Sequence, residues 1–327
     1  MIKNKITSVE SGQTLEKYVL KILPNAPLSF MYKLFRKKDI KVNGKWKDKK
    51  EIVKEDDIVS IYLTVEQENE FRNIDNEFTP NNKIEKYIVY EDENILLVNK
   101  PCGMLTQKDI PSRKDDLTTL VVEYLMYKNE FQIGSSGFKP APAHRLDRNT
   151  SGIVIFGKNI EALHDLSLLI KNKEQLEKHY LTLVYPNIFE DGMIDSPLLK
   201  IGSDSFVKVA TFEEGAKPSL TKYHVLEQIG EFTLLDILLL TGRTHQIRVH
   251  LSSIKHPIVG DNKYGNFNLN KALKKKYNLD YQLLHAYKIV FKDVKGKLSY
   301  LSNREFCIEP TSAFTALLKE LKEDTKK

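Results

Sequence analysis

The sequence predicts an α+β fold, a mostly antiparallel mixed sheet preceded by a small α/β unit. Three observations carry this. Strand-like segments dominate after His179, at residues 179–185, 206–212, 220–228 and 231–240. Helical periodicities are interspersed among the strands without the regular strand–helix alternation of a parallel sheet. Near the start, two short helical patterns run into an Asn43-Gly44 turn, the strongest short hairpin signal.

The elements follow in chain order. In residues 13–23, Leu15, Val19, Ile22 and Leu23 recur at helical spacing and Pro24 stops the run. A second helix is expected over 29–38, with Met31, Leu34 and Phe35 inward and Arg36 and Lys37 projecting from its end. Ile40-Lys41-Val42 enters the Asn-Gly turn, and 57–63 is the closing strand. These define a unit over 1–65, of a size that can fold alone. Residues 66–86 are rich in Glu, Asn and Asp, contain Pro80 and show little periodicity, which predicts a linker. Residues 87–327 make the larger domain. Paired strands at 87–90 and 95–99 flank an Asp92-Glu93-Asn94 turn, and Lys100-Pro101-Cys102-Gly103 forces a bend. A helix over 117–128, a Gly- and Pro-rich loop over 129–143, a buried strand over 153–156 and a helix over 159–172 come next. After the later strands, a helix over 244–254 is expected to begin at a Thr244 N-cap. A strand pair around Lys295-Gly296 and a helix over 312–322 close the chain.

Composition narrows the function. A hydrophobic fraction of 41% is that of a globular protein. Residues 1–5 are polar with no apolar run behind them, unlike a secretory signal. The most apolar stretch, 232–240, is too short for a bilayer and is broken by Asp236. Cys102 and Cys307 alone support neither a disulfide framework nor a cysteine zinc site, so the cytoplasm is the expected compartment. The net charge of +6 is modest, but its distribution is not even. Lys33, Arg36, Lys37, Lys38, Lys41, Lys45, Lys47, Lys49 and Lys50 crowd one stretch against only Asp39 and Asp48. Such a field suits RNA or DNA, although a solvated lysine-rich surface would have the same composition.

Two clusters could carry chemistry. His144-Arg145-Leu146-Asp147-Arg148-Asn149-Thr150-Ser151-Gly152 lies between a Pro-rich loop and an apolar strand, a place where catalytic groups are held on a rigid anchor. As generic residues they also fit a surface turn in which Asp147 satisfies backbone amides. The second cluster is Thr241-Gly242-Arg243-Thr244-His245-Gln246-Ile247-Arg248-Val249-His250-Leu251. On a helix, Ile247, Leu251 and Ile254 share the core face, while His245 and Arg248 lie together on a neighbouring one. Asp147 is one plausible partner for Arg248. His245 and His250 are off register for a metal, and no nearby carboxylate or cysteine completes a ligand set, so no metal is expected.

At this point a family resemblance becomes specific. HRLDRNTSG (144–152) resembles the catalytic motif of the RluA family of pseudouridine synthases, whose nucleophilic aspartate falls on Asp147. TGRTHQIRVHL (241–251) with HPIVGDNKYG (256–265) resembles the family's third motif, LLHA (283–286) its late strand, and Lys100-Pro101-x-Gly103 its first motif. Lys178-His179-Tyr180 matches the segment that supplies an active-site tyrosine. The resemblance implies a pseudouridine synthase fold, Arg248 as the cation beside Asp147, Tyr180 facing the extruded uracil, and Arg145 filling the space the flipped base leaves. His144 would help to position RNA or make a structural hydrogen bond. Cys102 departs from the small residue usual in the first motif, and no paired base makes its thiol catalytic.

The N-terminal unit resembles a different family. LEKYVLKIL, SFMYKLFRKKDIKVNGK and DDIVSIYL are similar to the small RNA-binding domain of ribosomal small-subunit protein four, which would put Lys33, Arg36, Lys37, Lys38 and Lys41 on RNA. Within the RluA family this accessory domain points to the ribosomal branch, the RluC or RluD type, hence to 23S ribosomal RNA or a large-subunit assembly intermediate, with a monomer as the family expectation. The competing expectations are a non-catalytic RNA-binding assembly factor, a tRNA-acting family member, or a small-substrate nucleosidase. Pseudouridine formation breaks the bond from uracil nitrogen to the ribose anomeric carbon and rejoins the base through ring carbon five. Nothing is oxidised, gained or lost, so no cofactor is expected; the chemistry needs an ionised carboxylate beside the sugar–base junction, and a partly dry pocket calls for a cation next to it.

Overall fold

The computed structural model describes residues 1–7, 10–72, 78–108, 116–132, 138–172, 175–202 and 206–325. The chain divides into two compact units, and the first comprises Met1–Glu85, Thr119–Pro140 and Asn159–Glu161. Its sheet has the order β1 (Ile2–Lys5), β4 (Ile58–Ile61), β2 (Ile40–Val42), β3 (Lys45–Trp46), packed with α1 (Leu15–Ile22) and α2 (Leu28–Lys37). Thr14 caps α1 by accepting the Lys17 amide at 3.3 Å. Asn43 and Gly44, at φ 51° and 75°, supply the two left-handed residues of a tight hairpin, so Val42 pairs with Lys45. Leu15, Val19, Met31, Ile40 and Val59 fill the core.

Two features of this unit differ from the sequence expectation. Residues 2–5 form β1, paired antiparallel to β4; the polar composition of an edge strand hides it. The segment expected as a linker opens with α3 (Val65–Arg72), whose Phe71 joins the core. One apolar anchor on an otherwise polar helix gives no periodic signal. Residues 73–77 of that segment, and 133–137 of the expected loop, lie outside the described residues. Helix α4 (Leu117–Tyr127) follows later in the chain, and its Glu123 accepts from the Thr79 amide at 3.0 Å and Asn81 Nδ2 at 2.7 Å.

The second unit comprises Lys86–Thr118, Ala141–Lys158 and Ala162–Lys327. One mixed sheet organises it. Its order is β10 (Gly192–Asp195), β13 (Leu220–Ile229), β14 (Phe232–Leu239), β9 (Leu176–Val184), β15 (Leu284–Phe291), β8 (Ser151–Gly157), β6 (Ile95–Lys100), β5 (Ile88–Glu91). Two short strands, β7 (Ala141–Pro142) and β16 (Glu305–Cys307), attach to β8 and β15. All pairings are antiparallel except that of β15 with β8, as the absence of βα alternation predicts. Helix α5 (Ile160–Lys171) contributes Ala162, Leu166 and Leu169 to a core with Ile153, Ile155 and Phe291. A second core gathers Leu183, Val259 and Leu273 of α7 (Phe267–Tyr277) with Phe314 and Leu317 of α8 (Ser312–Thr325). A separate hairpin joins β11 (Leu198–Ile201) to β12 (Phe206–Val209).

Between β15 and β16 the chain is not a tight turn at Lys295-Gly296; a 3₁₀ helix spans Gly296–Leu301 and buries Leu298 and Leu301. The helix expected over 244–254 is α6 (Gln246–Ser253), and its N-cap is His245, in the left-handed conformation at φ 53°, instead of Thr244. The Gln246 side chain braces the turn that precedes the helix. Its Oε1 accepts from Thr241 Oγ1 at 2.7 Å and the Arg243 amide at 3.0 Å, and its Nε2 donates to Thr221 Oγ1 at 2.9 Å. Residues Gln246 to Leu251 are all buried, so α6 has no solvent face in its first turns.

Candidate active site

The register of the central strands converges on one point. Gly152 of β8 pairs with Ala286 of β15, which pairs with Tyr180 of β9. A Cβ on Gly152 would lie 2.2 Å from the Ala286 carbonyl oxygen, so only glycine lets β8 and β15 approach this closely. Asp147 is carried on the loop just before β8, and α6 and its following loop deliver the cation.

The Asp147 loop is fastened from beneath. Lys100 is fully buried at the end of β6, and its ammonium donates to the carbonyls of Pro101 at 3.1 Å, Met104 at 2.8 Å and Arg148 at 3.1 Å. Burial pushes its pKa down to about 8, which leaves it charged at neutral pH, with three carbonyls for its three protons. Thr106 Oγ1 donates to the Leu146 carbonyl at 3.0 Å and accepts its amide at 3.1 Å, while the Gly103 amide donates to the Arg148 carbonyl at 3.0 Å. The Cys102 thiol, raised by burial, donates to the Asn149 carbonyl at 3.3 Å. First-motif residues therefore hold the loop that carries Asp147.

Above the loop, Arg248 Nη1 donates to Asp147 Oδ2 at 3.0 Å. The rest of the guanidinium is held by Asp261, Nε to Oδ2 at 2.7 Å and Nη2 to Oδ1 at 2.9 Å, a fork-to-fork pair. Asp261 is fully buried and also accepts the amides of Lys263 at 2.8 Å and Tyr264 at 3.0 Å. Burial alone would raise its carboxyl, but the Arg248 bonds and these amides reverse that and hold it below the usual range. Burial likewise works against the Arg248 charge, and the two carboxylates more than compensate. His245 Nε2 stands 3.7 Å from the same Asp147 Oδ2. Among the described residues both contacts of the Asp147 carboxylate fall on Oδ2, so Oδ1 keeps its lone pairs unengaged by the protein. The side chain is 28% exposed, accessible without lying on the open exterior.

The other residues expected at the site divide. Tyr180 is 4% exposed, and its phenol is raised first by burial and then by the Asp147 charge. Arg145 is exposed beside buried Leu146. His144 Nε2 accepts from the Ile155 amide at 3.3 Å, which ties it to β8, and burial followed by the Lys178 charge pushes its pKa down to about 3. His250 binds Thr221 Oγ1 and the Ser196 carbonyl, both at 2.9 Å, and is a strut of the fold. Asp261, Tyr264 and the role of Lys100 carry no signal as isolated residues; the spacing of Asp261 from Arg248 is meaningless until the loop after α6 folds back. Among the described residues no group of three or more His, Cys, Asp or Glu could hold a metal ion, and no helix is long and apolar enough to cross a membrane.

The cations expected on RNA lie in the first unit, all exposed but the half-buried Lys41. Lys33, Arg36 and Lys37 project from α2 into solvent, Lys38 stands 5.6 Å from the Trp46 ring centroid, and Lys41 stands 4.9 Å from that of Tyr62. Lys33, Lys37 and Tyr62 line one groove.

The site is thus a loop aspartate hydrogen-bonded to a buried arginine at the end of a mixed sheet, and the fold is that of solved pseudouridine synthases. A solved human protein, RNA Pseudouridylate Synthase Domain Containing 4, has the same fold with a TM-score of 0.58 at 21% identity, covering 73% of this chain and 94% of that one. Residues 94–253 match the family described as RNA pseudouridylate synthase. Ribosomal large subunit pseudouridine synthase C of Pasteurella multocida (strain Pm70) is 32% identical over 292 residues, 89% of this chain and 86% of its own length. An uncharacterised RNA pseudouridine synthase of Mycoplasma capricolum is 31% identical over 313 residues, 95% of this chain and 98% of its own. The chain belongs to the RluA family of RNA pseudouridine synthases, and it is an isomerase.

Proposed function

We propose that this enzyme isomerises specific uridines of large-subunit (23S) ribosomal RNA, in the cytoplasm and as a monomer, with Asp147 as its essential carboxylate. The observation that carries the reading is the asymmetry of that carboxylate. Oδ2 is held by Arg248 at 3.0 Å, and Oδ1 has no hydrogen-bond or ion-pair partner among the described residues. During the reaction the bond from uracil N1 to the ribose C1′ breaks, the base turns, C5 bonds to C1′, and the C5 proton leaves as N1 gains one. Oδ1 is the atom that attacks or takes a proton, and Arg248 keeps the carboxylate ionised.

The target must first leave its stack, at about a few kcal/mol. Tyr180 receives the uracil, where aromatic stacking contributes about 1–3 kcal/mol, and Arg145, exposed beside the catalytic loop, occupies the vacated space. His144 keeps Nδ1 for the RNA, since Nε2 is engaged by Ile155. Residues 1–65 act as an RNA-binding domain like that of ribosomal small-subunit protein four, with Lys33, Arg36, Lys37, Lys38 and Lys41 on phosphates. The ribosomal target is supported by the likeness to the large-subunit synthase of Pasteurella multocida over 89% of this chain.

The experiment compares wild type and Asp147→Ala on ribosomal RNA, with pseudouridine read by chemical labelling, and maps pseudouridines in cells with and without the gene. Wild type is expected to form product, and Asp147→Ala to stay folded, bind RNA and form none. Product from purified Asp147→Ala would remove the catalytic assignment, and an unchanged 23S map in cells lacking the gene would remove the ribosomal one.

A further inference from the structure

Tyr264 joins a peripheral hairpin to the Asp147 carboxylate. Its hydroxyl lies 3.0 Å from the backbone nitrogen of Val207, on β12, and 2.9 Å from Nδ1 of His245. An amide N–H can only donate, so the phenol oxygen accepts from Val207. The phenol then has its own proton to place, and Nδ1 stands at hydrogen-bond distance to receive it. The far side of the imidazole points the same way. Nε2 faces Asp147 Oδ2 at 3.7 Å, and an ionised carboxylate accepts but cannot donate. Both ends select one tautomer, with the proton on Nε2 and the lone pair on Nδ1.

Packing holds the relay in place. The Tyr264 ring meets the His245 ring edge to face at 5.5 Å, has Phe206 of β12 at 5.3 Å, and carries the Arg248 guanidinium 5.1 Å from its centroid. Burial lowers the pKa of His245, the Asp147 charge opposes this, and the Arg248 charge reinforces it, leaving the ring neutral near pH 7. The hairpin meets the Tyr264 side chain through the Val207 amide and the Phe206 side chain.

We propose that Tyr264 is a positioning residue. Its hydroxyl, fixed by the Val207 amide, holds His245 as an Nε2–H group directed at Asp147 Oδ2, so that Oδ1 remains the oxygen free to react. The catalytic half of this statement rests on the assignment of Asp147 above; the tautomer does not.

Tyr264→Phe keeps the ring and removes only the hydroxyl. Nitrogen NMR of the full-length protein labelled at histidine reads the tautomer without RNA, with the His245 signals assigned by their absence in His245→Gln. In the wild type, Nδ1 is expected in the unprotonated range and Nε2 in the protonated range. In Tyr264→Phe the two tautomers should mix and kcat fall about tenfold, the equivalent of one lost hydrogen bond, with KM for RNA unchanged. A wild-type His245 protonated on Nδ1, an unchanged spectrum in the variant, or an unchanged kcat overturns the proposal. Loss of activity in Asp147→Ala is the separate test of the reading beneath it.

Discussion

Arg248 and Asp261 form a buried fork-to-fork ion pair at 2.7 and 2.9 Å, and only the Nη1 of the guanidinium is left to reach outward, to Asp147 at 3.0 Å. The cation beside Asp147 is thus positioned from behind by a carboxylate that never meets solvent. The geometry needs the planar fork, since a point charge cannot serve two carboxylates on different edges.

Asp261→Asn should therefore cost about 3–5 kcal/mol, the usual effect of removing one partner from a buried pair. Chemical denaturation checks this. Arg248→Lys keeps the charge and should lose far more kcat than stability. Equal kcat in Arg248→Lys and wild type would mean that charge alone is enough.

Lys100 sits under the Asp147 loop and donates to three carbonyls. Lys100→Met retains the bulk of the side chain but removes the ammonium from the Pro101 and Met104 carbonyls, at about 1–3 kcal/mol for each left unpaired and buried, while the Arg148 carbonyl keeps the Gly103 amide. A loop shifted by about 1 Å can lower a rate about a hundredfold. Single-turnover rates on saturating RNA should show that loss while binding is retained; a normal rate would mean the ammonium is only filling space.

His285 is fully buried with Nδ1 2.8 Å from Ser151 Oγ, and burial pushes its pKa from 6.5 down to about 4. Its folded pKa is depressed, so the unfolded chain binds the proton first. The stability it contributes is fully present above about pH 6.5 and is lost as pH falls toward about 4. The slope in that window is at most about 1.4 kcal/mol per pH unit for this residue. Denaturation curves from pH 7 to pH 4 should be flatter for His285→Asn than for wild type, and parallel curves would assign the acid sensitivity elsewhere.

For the first unit, the triple variant Lys33→Gln, Lys37→Gln, Lys41→Gln should weaken RNA binding and reduce the salt dependence. Each phosphate contact on a single strand contributes about 0.7 to the slope of log affinity against log salt. Filter binding at a series of salt concentrations measures it; an unchanged slope would show that these cations do not touch phosphate.

Much of the architecture was legible because it is periodic. The strands 220–228 and 231–240 and the helix over 159–172 alternate or repeat, and they reappear as β13, β14 and α5 within a residue or two. What lacked a period was missed: β1 is a polar edge strand, and α3 is a polar helix that brings Phe71 into the core. The N-cap falls one residue beyond Thr244, on His245 in the left-handed conformation, in a turn braced by the buried Gln246 side chain, and such burial is a property of the fold.

The same division runs through the site. Taken alone, the chain determined which residue types could act, an aspartate on a loop before a buried strand and an arginine on a helix after another, because motif order and local spacing are written in the covalent sequence. Only the tertiary structure decided that Arg248 is shared between Asp147 and Asp261, that Lys100 secures the Asp147 loop, and that the Asp147 carboxylate is engaged through Oδ2. Those facts depend on atoms 13 to 101 residues apart meeting at hydrogen-bond distance. Distance and desolvation exist only once the strands have found their register.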